Sequence, residues 1–141
     1  MGIALKRAYD PPSPSDGVRV LVERLWPRGL TREQARIDEW LKDVAPSTEL
    51  RKWFHAQRDH WATFRKRYLD ELSSPAAAEA LDHLYTLSRS GKNLTLIYGS
   101  RDTDHNGAVI LKELLEGMRK PPTGTGPVRS AAKARVRMQA K

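Results

Sequence analysis

Residues 18–29 read VRVLVERLWPRG, and the fold turns on them. Val18, Val20 and Val22 alternate with Arg19, Leu21 and Glu23. β-Branched residues at every second position suit a pleated, buried surface, so 18–25 is expected as a strand. Trp26-Pro27-Arg28-Gly29 ends it. Pro27 lacks an amide donor, and Gly29 tolerates the positive φ of a sharp turn. A second strand is expected at NLTLIYGS, residues 93–100, which is apolar at Leu94, Leu96, Ile97 and Tyr98 and too short for a helix. RDTDHNG, residues 101–107, then forms a polar loop, and 108–118 a helix carrying Val109, Ile110, Leu111, Leu114, Leu115 and Met118. Strand, loop and helix thus occur twice, at 18–44 and 93–118. That repetition predicts a single α/β domain, a small and mainly parallel sheet flanked by helices. Ligands on such sheets sit beyond the carboxyl ends of the strands. The WPRG turn and the RDTDHNG loop both follow strand ends, so both are expected on that edge.

The connecting segments read as helices. Thr31-Arg32-Glu33-Gln34 fits a capping box. Ile37, Trp40, Leu41 and Val44 recur at i, i+3, i+4 and i+7, which predicts a helix up to Ala45-Pro46. Ser47 caps a further helix with Leu50, Trp53 and Phe54 on one face. After a break at 55–58, Trp61, Phe64, Tyr68, Leu69 and Leu72 return at helical spacing. Ser74-Pro75 opens another helix that runs through Leu81, Leu84 and Tyr85 toward Gly91. Near the start, a short apolar segment at 3–8 stops at YDPPSPSDG, residues 9–17, where three prolines and a glycine force a turn.

Composition narrows the function classes. The chain has 141 residues, enough for one domain, and no cysteine. A disulfide scaffold, a thiolate zinc site and a cysteine nucleophile are therefore excluded. No apolar run approaches the ~18 residues that span a bilayer, so no membrane partner is expected. The N-terminus lacks a signal-peptide layout, and a cytoplasmic protein is the expectation. The net charge of +8 is uneven. Residues 1–118 hold 18 Lys and Arg against 17 Asp and Glu, whereas 119–141 hold seven basic residues and no acid. The latter segment opens with PPTGTGP at 121–127 and has few large apolar residues to bury. It is expected as a flexible basic tail on a domain spanning 1–118. A basic arm would attract nucleic acid by counterion release. The plainer alternative is a solubilising extension, since no aromatic residue is present there for base stacking.

Two constellations could carry chemistry. Arg24, Trp26, Arg28 and Gly29 place two guanidiniums around an indole at a strand end. Arginine forks match phosphate or carboxylate, and an indole face stacks a planar or cationic group. The alternative is a packed Trp26 with both arginines paired to Asp38, Glu39 or Asp43. The second constellation is Ser100, Arg101, Asp102, Asp104, His105 and Asn106, leading into a helix N-terminus that favours an anion. His105 is the histidine placed to act as an acid or base beside such a pocket. His55, His60 and His83 lack ligand spacing and read as surface or packing residues. Asp102, Asp104, Asn106, Gly107 and Glu113 satisfy a calcium-loop string, but such a loop needs an entering helix where a strand is expected, so no metal site is assigned. There is no phosphate-loop Gly-Lys-Ser/Thr, no dinucleotide loop, no HExxH and no Ser-His-Asp order, and no cofactor is implied. Ser47 and Ser100 are conceivable nucleophiles with simpler roles as a cap and a loop residue. Trp53, Phe54, Trp61 and Phe64 form either core or a surface for a protein partner.

The strings KRAYDPPSPSDGVRVLVERLWPRGLTREQARIDEWLKDVAPSTELRKWF (6–54) and LTLIYGSRDTDHNGAVILKELL (94–115) resemble the YeaO-like bacterial proteins, a domain family of unknown function. RLWPRG and WLKDVAPS, in that order, carry the likeness. The resemblance implies a small cytoplasmic α/β domain. Its motif positions fall here on Arg24, Trp26, Pro27, Arg28, Gly29, Asp38, Trp40, Lys42, Pro46, Ser47, Arg101, His105 and Asn106. Relatives in the broader group often carry a cysteine-histidine motif near the last strand. That cysteine is absent here, which removes thiol chemistry. The resemblance also admits extended backbone around Trp40 and Lys42, which eight residues of periodicity do not decide. The leading expectation is a pocket for an anionic small molecule bearing phosphate or carboxylate. Arg24, Arg28, Lys42 and Arg101 would hold the anion, Trp26 or Trp40 would stack, Gly29 and Asn106 would line it, and His105 would serve acid–base catalysis. The alternatives are nucleic-acid binding through 119–141 and a protein-interaction module.

Overall fold

The computed structural model describes residues 2–118, and the expected basic tail at 119–141 lies outside the described residues. Four strands, β1 (Ile3–Arg7), β2 (Val18–Leu21), β3 (Glu39–Trp40) and β4 (Leu94–Tyr98), form one parallel sheet in the order β1-β4-β2-β3. Five helices accompany them: α1 (Arg32–Ala35), α2 (Thr48–Ala56), α3 (Trp61–Glu71), α4 (Pro75–Ser88) and α5 (Gly107–Gly117). The α/β class and the parallel sheet expected from the sequence are what the chain adopts. No helix among the described residues is long and apolar enough to cross a membrane.

β4 is the last strand in sequence and central in space, paired with both β1 and β2. Its five residues are all buried, as a doubly covered parallel strand requires. Alternation sends Leu94, Leu96 and Tyr98, with Val20 and Val22, into the core beneath the helices. Leu21, Ile97 and Ala8 face the other way, under a cover of Trp26, Leu30, Ile37 and Trp40. Each fully buried side chain of this size stabilises the fold by about 1.5–3 kcal/mol relative to exposure. Tyr68 of α3 is fully buried and donates its hydroxyl proton to the Val44 carbonyl, tying α3 to the loop before α2.

The polar end of the second face is clamped. Arg19 donates to Asp16 at 2.6 Å and to the Ala35 and Arg36 carbonyls at 2.7 and 3.0 Å, while Lys6 reaches Asp16 at 3.0 Å. Gly17 lets the chain enter β2 beside Asn93. It has φ +67°, and a Cβ there would sit 2.1 Å from the Asn93 carbonyl oxygen.

Two expectations are corrected. The helix expected up to residue 44 is a single turn, Arg32–Ala35, with the predicted Thr31–Gln34 capping box at its start. Arg36 takes φ 50° and ends it. Asp38 then accepts the Arg19 amide proton at 2.8 Å, and the chain continues as edge strand β3 on β2. The apparent helical face is split between the two sides of the sheet, Ile37 and Trp40 on one and Leu41 and Val44 on the other. The strand expected over 18–25 stops at Leu21, although the Val22 amide still bonds to the Ile97 carbonyl. The helices from Ser47 onward fall where their spacing places them. Ser47 caps α2 through the Leu50 amide, and Asn106 caps α5 through the Val109 amide.

Candidate functional site

β2 and β4 are adjacent and parallel, yet the chain leaves them in different directions. After β2 it passes toward β3 on the outer edge. After β4 it enters α5, which packs back over β1 and β4. Divergent exits from neighbouring parallel strands open a crevice at their carboxyl ends. A cleft of about 500 Å³ lies there, within the usual size of a small-molecule site.

Glu23, Leu25, Trp26 and Arg28 enter from the β2 exit, and Gly99, Ser100, Arg101, Asp102 and His105 from the β4 exit. Helix α2 and the turn after it add Arg51, Phe54, His55 and Arg58, and Phe64 of α3 closes the apolar end. Leu25 is 64% exposed, the most exposed large apolar residue in the described chain. Early and late segments of the sequence therefore share one cavity, with Arg28, Arg101 and His105 all in its lining.

The charges divide into engaged and free groups. Asp102 accepts the Asp104 and His105 amide protons at 2.9 and 3.0 Å and pairs with Arg58 at 3.1 Å. Desolvation raises its carboxyl, but these donors and the His105 ring outweigh that and hold it below the usual range. His105 Nδ1 lies 3.5 Å from Asp102 Oδ2, and its ring meets Trp61 edge-on at 5.0 Å. This loop geometry consumes the Asp102 oxygens, and among the described residues no group of three or more His, Cys, Asp or Glu is arranged to hold a metal ion. The guanidiniums of Arg28, Arg51 and Arg101, in contrast, have no hydrogen-bond or ion-pair partner among the described residues, though Arg51 acts electrostatically on Glu23. Glu23 sits at the inner end. Its Oε2 accepts the Gly99 amide proton at 2.9 Å. Burial raises its carboxyl above the ordinary value, against the opposing pull of the Gly99 N–H and Arg51.

Several expected residues lie outside this lining. Arg24 donates to the Ala45 and Pro46 carbonyls at 3.1 and 3.3 Å and stands 4.0 Å from Asp43. Trp40 donates its indole N–H to the Glu23 carbonyl at 2.6 Å and packs edge-on against Trp26, while Lys42 lies 4.2 Å over the Trp40 ring. Gly29 takes φ +83° in the turn behind Arg28. Asn106 lines the cleft, but its side chain is committed to capping α5 and to the Asp102 carbonyl. Sequence reasoning missed Glu23, Arg51, His55 and Arg58. The signal for the last three was their spacing, i, i+4 and i+7, a basic stripe along α2 and the turn that follows it.

A small parallel-sheet domain with an arginine-lined cleft at the strand ends is the class that fold and site define. Its family follows from comparison. The model described as the inactive DUF488-N3 subclade matches residues 2–130, and the chain belongs to that family. It is 42% identical over 118 residues to the uncharacterized protein YeaO of Escherichia coli K12, covering 84% of this chain and 100% of the relative. It is 38% identical over 116 residues to uncharacterized proteins of Mycobacterium bovis and Mycobacterium tuberculosis, covering 82% of this chain and 94% of each. No solved structure matches.

Proposed function

We propose that the domain binds a small anionic molecule, bearing phosphate or carboxylate, in the cleft beyond β2 and β4. The observation that carries this reading is the meeting of the Arg28, Arg51 and Arg101 guanidiniums on one cavity, none of them in a hydrogen bond or direct ion pair with a described residue. Guanidiniums with unused donors beside the N-terminus of an eleven-residue helix favour an anion, through charge and through forked hydrogen bonds. The apolar wall of Leu25, Phe54 and Phe64 favours a ligand with an organic body over a bare ion.

Binding without turnover is the form that the family description, inactive, supports best. The catalytic reading of His105 rests on its place in the cleft beside Asp102, an arrangement that orients the ring and would serve proton transfer. The test is thermal unfolding of the full chain with phosphate, sulfate and small carboxylates at constant ionic strength. Binding raises Tm, and Arg28→Ala and Arg101→Ala each remove most of the rise. No response to any of these anions would end the proposal.

A second reading assigns nucleic-acid binding to residues 119–141, on the strength of seven basic residues and no acid there. It predicts binding that falls steeply with salt and vanishes when that segment is deleted. Retained binding after the deletion would remove the segment from consideration.

A further inference from the structure

Glu23 is the feature that anion binding leaves unused. A carboxylate weakens any site built purely for anions, so its place in an arginine-lined cleft calls for its own ligand partner. Its Oε2 is held by the Gly99 amide, whereas Oε1 takes no hydrogen bond from any described residue. Arg51 lines the same cleft and favours the ionised form of the Glu23 carboxyl, with no direct ion pair between the two. The cleft therefore presents an acceptor, Glu23, and a donor, Arg51, in one lining with the apolar Leu25, Phe54 and Phe64.

We infer that the ligand is a guanine mononucleotide, its base edge read by Glu23 and Arg51 and its phosphate held by Arg28 and Arg101. The inference rests on the anion reading above and names the molecule class. Guanine carries two adjacent N–H donor groups beside a carbonyl acceptor, the complement of a carboxylate beside a guanidinium. Adenine carries an amine where guanine has the carbonyl, and turns that donor toward Arg51. The planar base lies against the exposed Leu25 side chain, an apolar contact that any purine makes and that leaves the choice of base to the polar pair. A cavity of about 500 Å³ accommodates a molecule of this size.

The test is titration calorimetry on the full chain with GMP, AMP and inorganic phosphate at constant pH and ionic strength. GMP is expected to bind at least about tenfold tighter than AMP, the discrimination of one good polar base contact. In Glu23→Gln the carbonyl oxygen takes over the Gly99 N–H, and the amide NH₂ opposes the guanine donors, so the GMP preference is lost. Arg51→Met, at an exposed position on α2, leaves folding intact and reduces the same preference. Phosphate binding with equal affinity for GMP and AMP, or a GMP preference that survives Glu23→Gln, overturns this inference and leaves the anion reading standing. Failure of phosphate and both nucleotides to bind overturns both.

Discussion

Glu23 Oε2 accepts the Gly99 amide proton at 2.9 Å, a bond across 76 positions of sequence that ties the exit of β2 to the exit of β4. It forms the inner end of the cleft. A single substitution there tests the electrostatics of the site separately from its ligand.

Burial raises the Glu23 carboxyl above its unfolded value, with the Gly99 N–H and Arg51 offsetting part of the rise. The folded state therefore keeps its proton to higher pH than the unfolded chain. Stability is unaffected below the ordinary glutamate value, about 4.3, and declines as pH rises from there through the folded value. Glu23→Gln is expected to melt a few degrees above the wild type at neutral pH, with the gap closing in acid. A gap that widens toward acid contradicts this account. Melting curves between pH 3 and 8 decide it.

Arg24 and Arg28 are two arginines four positions apart with opposite roles. Arg24→Ala removes the donors to the Ala45 and Pro46 carbonyls and is expected to cost about 1–2 kcal/mol in stability while keeping the anion response. Arg28→Ala is expected to leave stability within about 0.5 kcal/mol and to lose the response. Urea unfolding with and without phosphate separates the two.

Asp16 holds Arg19 and Lys6 together in the buried clamp. Desolvation raises its carboxyl, but Lys6, the Ser13 amide and Arg19 outweigh this and hold it low. The stabilisation it confers is present above the unfolded aspartate value and is lost as pH falls through the lower folded value. Asp16→Asn leaves a buried guanidinium unpaired and is expected to cost about 3–5 kcal/mol at neutral pH. Chemical denaturation measures it, and a loss under 1 kcal/mol would show that the clamp contributes little.

Tyr68→Phe leaves the buried Val44 carbonyl without its donor. The expected loss is about 1–3 kcal/mol, read as a lower urea midpoint at unchanged m. An unchanged midpoint would mean that another donor replaces the hydroxyl.

Gly17→Ala places a methyl 2.1 Å from the Asn93 carbonyl oxygen, at a φ that alanine rarely adopts. A cost of about 3 kcal/mol or more is expected, because backbone faces the new atom on a rigid strand entry. Near-normal soluble expression and Tm would contradict the close approach.

Much of the architecture could be read directly from residue patterns. Alternating valines at 18–22, the apolar run at 94–98 and capped, periodic segments from Ser47 onward are local signals, and each element formed where its signal lay. Residues 36–44 show the limit. Ile37, Trp40, Leu41 and Val44 have helical spacing, but Arg19 and Leu21 supply strand partners for Asp38 and Leu41. A sequence pattern does not show which neighbour will satisfy the backbone.

The same boundary divides the site. The sequence by itself determined the parallel α/β class, the two loops at the strand ends, and the candidacy of Arg28, Arg101 and His105. These follow from propensity, turn chemistry and the rule that such loops share an edge. Only the tertiary structure separated Arg28, free at the cleft, from Arg24, bound to two carbonyls, and brought Glu23 and Arg51 to the same cavity. The reason is physical: where a long side chain spends its hydrogen bonds depends on carbonyls and carboxylates that folding brings near it, and adjacency in the chain does not encode them.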